Sequence, residues 1–321
     1  MRYKRILYVL MLLCFLTGCG TGSEPAPDPS RNESSKTQSS ESETSQPSQN
    51  AGDFHPYQTP AFADAVFHDT QEVDGVKLDL SSTANGYVAV SATSSARLKF
   101  QVIKGEETYT YNIASDGTPS IFPLQCGNGT YTFKVMENVV DTKYAEKYTA
   151  EAEVQLTDEF QPYLRPSDYV DYTQTSACVK KAQELAADCE TELDVVQAVF
   201  DYICNEVTYD KVKASNVEKG YLPDPDETLS TKKGICFDYA SLAAAMLRSQ
   251  GIPTRVIFGY VSPNDLYHAW NMFYTDETGW VTVDYQVSAN SWNRLDLTFS
   301  ANGADTDFIG DGTNYADVYV Y

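Results

Sequence analysis

Three residues whose types can combine in nucleophilic chemistry follow one another in the second half of the chain: Cys236, His268 and Asp284. Cys236 stands just after Gly234 and ahead of a segment in which Leu242, Ala243, Met246 and Leu247 recur at helical spacing, so the thiol falls at a helix start. There the helix dipole and the first N–H groups favour thiolate, the reactive form. A core cysteine fits that loop–helix junction poorly, and Gly234 leaves the backbone open to a substrate. His268 begins a strand, and the other two histidines, His55 and His68, lie far upstream. Asp276-Glu277-Thr278-Gly279 reads as a hairpin turn into a second strand. A turn centred near Glu277 sets position 268 opposite about position 286, so His268 and Asp284 share one face as a diagonal pair. A carboxylate there holds one imidazole nitrogen while the other faces the thiol.

The elements that must position these groups are legible around them. Pro162 and Pro166 mark a change of domain. From Ser176 to Ala187 and from Leu193 to Glu206 the apolar residues repeat at helical spacing, and the short link between them predicts an antiparallel hairpin. That hairpin sets Cys178 beside Cys204, either as a disulfide or as two buried thiols. Cys178 and Cys189 lie ~16 Å apart along one helix and do not bridge. Asn216 to Ser230 reads as a polar, proline-bearing loop. Gly251 and Pro253 stop the helix that follows Cys236, and three strands come next, at 254–261, 268–275 and 280–285. Upstream, short alternating runs such as Tyr87–Val90, Leu98–Val102, Tyr131–Val135 and Ala152–Leu156, separated by turn residues, predict a small β-sandwich. No catalytic cluster occurs within it, so it reads as a spacer or adhesive module.

The strings Gly234-Ile-Cys236-Phe-Asp-Tyr-Ala240, Leu247-Arg-Ser-Gln-Gly-Ile-Pro-Thr-Arg-Val-Ile-Phe-Gly-Tyr260, His268-Ala-Trp-Asn271 and Gly279-Trp-Val-Thr-Val-Asp284 resemble the transglutaminase-like superfamily, in that family's order. The resemblance covers roughly residues 195 to 290 and, less specifically, 162 to 321. Val207-Thr208-Tyr209-Asp210 also resembles the family's approach to its active site. The resemblance implies an α+β protein, with a papain/transglutaminase-like catalytic domain preceded by a small all-β, sandwich-like domain. It implies Cys236 as nucleophile, His268 as base and acid, and Asp284 as orienting group. Tyr209 is a candidate oxyanion donor beside the Cys236 N–H, and equally a core tyrosine with a bonded hydroxyl. Many relatives continue with proline and threonine after the aspartate, where this chain has Tyr285-Gln286, a difference in the local turn.

Such a site forms a thioester: thiolate attacks an amide or ester carbonyl and His268 protonates the leaving amine. Water then gives hydrolysis and an amine gives transfer, and hydrolysis is favoured because no amine pocket can be read. The rival of another class is a surface binding or adhesion module that keeps the fold without turnover. A zinc site from the same three residues lacks any paired Cys-x-x-Cys or His-x-x-x-His spacing. Asp305 to Asp311 superficially resembles a calcium loop, but it lacks a ligand oxygen at Ile309 and a closing glutamate. Neither a metal nor a cofactor is expected.

The N-terminus sets the compartment. A basic start, an apolar run from Ile6 to Leu16 and the ending Leu-Thr-Gly-Cys19 make a secretory signal, and the ending resembles the bacterial lipobox. Lipidation of Cys19 would anchor the protein at the cell membrane, facing outward. Residues 20 to about 52 are rich in Ser, Thr, Glu, Pro and Gln and read as a flexible tether. The expected organisation is therefore a signal at 1–18, lipidated cysteine and linker at 19–55, sandwich at 70–158 and catalytic domain at 160–321. Loss of three positive charges with the signal takes the net charge from −22 to −25, which excludes backbone binding to nucleic acid and leaves the lipid as the membrane contact. Five cysteines remain beyond Cys14 and Cys19, an odd number that hints at one thiol kept for chemistry. The expected partner is a peptide or protein substrate, cell-wall peptide included.

Overall fold

The structure, a computed structural model, describes residues 54–261, 266–281 and 315–321. The signal, Cys19, the tether, Asp284 and the 305–311 segment lie outside the described residues.

Seven strands come first: β1 (Val76–Asp79), β2 (Tyr87–Ala92), β3 (Leu98–Lys104), β4 (Glu107–Ile113), β5 (Ser120–Pro123), β6 (Gly129–Val140) and β7 (Lys143–Val154). They form two antiparallel sheets, ordered β1-β2-β5 and β4-β3-β6-β7. Period-2 alternation drives the assembly: Leu98, Phe100 and Val102 of β3 and Tyr131, Phe133 and Val135 of β6 are all buried. Phe100 meets Phe122 of the other sheet at a ring separation of 5.1 Å. The strand expected from 152 begins at Lys143 instead, because none of residues 143–150 is buried and they carry no alternating apolar run.

Then follow α1 (Ala177–Ala186), α2 (Glu192–Glu206), β8 (Thr208–Tyr209), α3 (Lys211–Asn216), α4 (Pro225–Thr231), β9 (Lys233–Gly234), α5 (Cys236–Ser249), β10 (Thr254–Val261), β11 (Leu266–Thr275), β12 (Gly279–Val281) and β13 (Tyr315–Val320). The α1–α2 hairpin forms, with Thr191 and Asp194 exchanging bonds in a capping box at the start of α2. Among the described residues the five cysteines stand as thiols, so Cys178 and Cys204 are not bridged.

The stretch read as a loop from 216 to 230 holds a helix, α4. Asp224 accepts from the Glu227 N–H at 3.0 Å, and Pro225 occupies the first turn, where it lacks no bond the helix would make. Only Pro225 and Thr228 are buried along it, which leaves no apolar period to read. Asp226 in turn accepts from the N–H groups of Ala177 and Cys178, at 2.9 and 2.8 Å, and so caps α1 from another element.

Helix α5 lies against a four-stranded antiparallel sheet ordered β12-β11-β10-β13. Every residue from Asp238 to Ser249 is buried, so this helix is covered all round. Arg248 inside it donates to main-chain oxygens of Thr254 (2.9 Å), Arg165 (2.7 Å) and Tyr321 (3.3 Å). Burial pulls its pKa down to about 10. Strand β13 has no counterpart among the predicted elements. One apolar cluster runs from the sandwich through α1, α2 and α5 to the second sheet, and Tyr111 of β4 meets Tyr169 at 5.6 Å. No helix among the described residues is long and apolar enough to cross a membrane.

Candidate active site

Cys236 is the first residue of α5 and is partly buried. The strand entering it, β9, pairs in parallel with β8, with Tyr209 opposite Gly234. The Asp210 N–H donates to the Gly234 carbonyl at 2.8 Å. The Tyr209 backbone is thus held two residues from the thiol, with its side chain half-buried.

Packing inside the fold requires glycine at 234. A Cβ there would stand 2.6 Å from the Asp238 Cβ. Asp238 is fully buried and is the hub of a clasp. It accepts from the Ile235 N–H at 2.7 Å and from the Tyr221 hydroxyl at 2.5 Å, and it pairs with the Lys213 ammonium at 2.8 Å. Lys213 also donates to the Tyr221 hydroxyl at 2.6 Å. A carboxylate in the first turn satisfies the N–H ahead of Cys236 and suits the helix dipole. The same clasp fastens α3 and the 217–221 loop to the nucleophile's helix. Sequence reasoning missed Lys213 and Tyr221. Asp238, three residues after the N-cap, carried the visible signal of a capping carboxylate.

His268 lies near the head of β11 and is almost fully buried. Three contacts set it relative to Cys236. The Phe237 ring is 4.8 Å from Phe258, and Phe258 pairs with Ala269. The Asn271 amide donates to the Ala240 carbonyl at 3.0 Å. At the far end of α5, Arg248 holds the Thr254 carbonyl, and Thr254 pairs with Phe273. Helix α5 and strand β11 therefore run in the same direction, and the structure brings Cys236 and His268 to the same end of the helix–sheet layer. Burial first, and then the charges of Tyr319, Tyr260 and Cys236, push the Tyr267 hydroxyl pKa up.

Alternation fixes the face as well. Asn271 turns toward α5, while Trp270 packs with Ile257 in a separate cluster, and the His268 ring stacks 6.5 Å from Trp270. The β11–β12 pairs Phe273–Val281, Tyr274–Trp280 and Thr275–Gly279 are centred at Glu277, the turn centre read from sequence. Asp284 lies outside the described residues.

Residues 179–285 match the sequence profile of the transglutaminase-like superfamily. A protein-glutamine gamma-glutamyltransferase of Pseudomonas aeruginosa is 38% identical over 101 residues, which are 27% of this chain and 15% of that protein. Kyphoscoliosis peptidase of Homo sapiens is 29% identical over 144 residues, 42% of this chain and 20% of that one. The chain thus spans no more than a fifth of either relative. Among solved structures, a candidate cysteine protease from Cytophaga hutchinsonii aligns with a TM-score of 0.39 at 16% identity, over 72% of this chain and 73% of that one. The fold is a mixed α+β one with a transglutaminase-like core, preceded by β-sheets.

Proposed function

We propose that Cys236, His268 and Asp284 form a thioester-forming site that hydrolyses or transfers amide-linked acyl groups of peptides or proteins. The observation that carries this reading is the placement of Cys236 at the first residue of α5, at the end of the layer where β11 presents His268. The Cys236 thiolate attacks the carbonyl carbon, and the C–S bond forms as the oxygen takes the negative charge. The Cys236 N–H, with Tyr209 as candidate second donor, holds that oxyanion. As it collapses the C–N bond breaks, His268 gives its proton to the leaving amine, and the thioester remains. Water then attacks with His268 taking its proton, and the C–S bond breaks to release acid and thiolate. An amine in place of water gives transfer. Hydrolysis is the favoured outcome, since water is always present outside the cell. The names of the relatives cover both outcomes, a glutamyltransferase and a peptidase.

The sequence at Cys19 supports a lipid anchor at the outer side of the cell membrane. Labelling with a fatty acid, lost on Cys19→Ala, tests it. For the site itself the test is alkylation of Cys236 against pH. Reaction well below the pH of a free thiol, abolished by His268→Ala, supports the enzyme. An ordinary or inert thiol favours the non-catalytic binding module instead. Incorporation of a labelled primary amine that needs Cys236 marks transfer, and cleavage without incorporation marks a peptidase.

A further inference from the structure

A groove of about 640 Å³ lies between the sandwich and the 217–221 loop. Its walls are the end of the β3–β4 pair, the turn between β6 and β7, and the loop at Lys219 and Gly220. Arg97 and Lys99 stand on one face of the strand, because Leu98 and Phe100, which alternate with them, are buried in the sandwich core. The Asn138 N–H donates to the Arg97 carbonyl at 2.9 Å, so the extended pairing already includes Arg97. Side chains two apart on a strand are spaced by ~6.6 Å. Lys219 adds a third cation from the loop.

These three charges find no counter-charge within the fold. The chain carries 23 basic and 45 acidic residues, and Lys134 and Lys147 of the same sheet pair with Glu146 and Glu137 at 2.8 and 3.2 Å. Among the described residues Arg97, Lys99 and Lys219 form no ion pair. Arg97 donates instead to the Asp141 main-chain oxygen at 2.6 Å, and the Lys99 ammonium rests 4.7 Å from the centre of the Tyr144 ring. Against the three cations the groove is lined by one acidic residue, Asp141. The chemistry it fits is therefore anionic. A molecule with so large an excess of acid is held off an anionic lipid surface, and a concave groove fits a single chain better than a flat bilayer. In an extended peptide alternate side chains share one face at the same ~6.6 Å spacing as Arg97 and Lys99. A guanidinium also takes a carboxylate through paired N–H groups.

We propose that this groove binds an acidic segment of a peptide or protein, lying extended with carboxylates at alternate positions against Arg97, Lys99 and Lys219. The proposal stands apart from the reading of Cys236 as nucleophile, and its test needs no turnover. A labelled, N-acetylated hexapeptide amide with glutamate alternating with threonine, and its glutamine counterpart, are titrated by fluorescence anisotropy into the full chain carrying Cys236→Ala. The glutamate peptide is expected to bind about ten-fold more tightly than the glutamine one, and the difference should shrink as salt rises from ~20 to ~300 mM. Lys99→Gln with Lys219→Gln should erase the preference. Lys180→Gln with Lys211→Gln, which removes the same charge at exposed positions outside the groove, should leave it intact. Equal binding of the two peptides, no saturable binding, or an equal loss in both double variants overturns the proposal. Phosphatidylglycerol vesicles that bind more tightly than the glutamate peptide, through the same two lysines, overturn it as well and assign the groove to a lipid surface.

Discussion

The side-chain amide of Asn271 donates to the main-chain oxygen of Ala240 at 3.0 Å and to that of Arg255 at 3.1 Å. One buried side chain thereby ties α5, β11 and β10 together, one helical turn from Cys236 and three residues from His268. Asn271→Ala removes both of these bonds. Such a loss costs ~1–3 kcal/mol, measurable as a lower midpoint in denaturant. The change should also slow Cys236 alkylation at neutral pH where the protein is still folded, since strand and helix lose their shared register. Full reactivity in the folded variant would show that Asn271 contributes stability alone.

How much of this was legible in the sequence depends on how local each signal is. Helix α5, the α1–α2 hairpin and the β10–β11–β12 meander were readable, because their apolar period or turn residues lie within one short window. Cys236 at a helix start and the turn centre at Glu277 came from the same kind of signal. Helix α4 was not readable: its seven residues are held by Asp224 and Pro225 at one end and by packing against α1 and α5, with no apolar stripe. The Lys213–Tyr221–Asp238 clasp joins residues 8 and 17 positions apart across a loop, and no periodicity links them. A cavity at the head of α5 gathers rings from α5, β10, β11 and β13 beside β4, a meeting that only tertiary folding creates.

The clasp yields the next prediction. Asp238 is fully buried and Lys213 is mostly covered, with side-chain exposures of 0% and 27%. Removing one partner of a buried pair typically costs ~3–5 kcal/mol, because the other charge is left in poor solvent. Asp238→Ala should therefore be strongly destabilising, and it also frees the Ile235 N–H. Tyr221→Phe is milder, removing one hydroxyl that bridges the charged groups at a cost of ~1 kcal/mol. Thermal melts of both variants check the order. A Tyr221→Phe loss as large as that of Asp238→Ala would contradict a charge-centred clasp.

Gly259 is a position where β10 cannot carry a side chain. A Cβ there would stand 2.1 Å from the Ala316 carbonyl oxygen and 2.7 Å from the Trp270 ring, at the point where the β10–β13 register shifts. The backbone contact has no flexible end that could yield. Gly259→Ala is expected to prise β13 from β10 and expose the Tyr319 side of the cavity. Hydrogen exchange should show faster exchange at β13 amides while β3 and β6 stay protected. Unchanged protection at 315–320 would mean the strand pair absorbs the methyl by shifting.

Asp168 ties the sandwich to the second half and makes stability depend on pH. Its carboxylate accepts from the Ile121 N–H at 2.8 Å, yet burial, outweighing that bond, lifts its pKa from 3.8 to about 6. Between those two values the folded chain holds more proton than the unfolded one, so this group's contribution falls as pH rises. The penalty is fully present above about pH 6 and absent below the unfolded value. Asp168→Asn keeps an oxygen for the Ile121 N–H and removes the titration. Relative to the native chain it should gain on the order of 2 kcal/mol at pH 7 to 8, and nothing near pH 3.5. Paired denaturant titrations across that range measure the difference directly. A gap that stays constant with pH would mean that Asp168 keeps its charge in the folded state at little cost, through the Ile121 bond and local water.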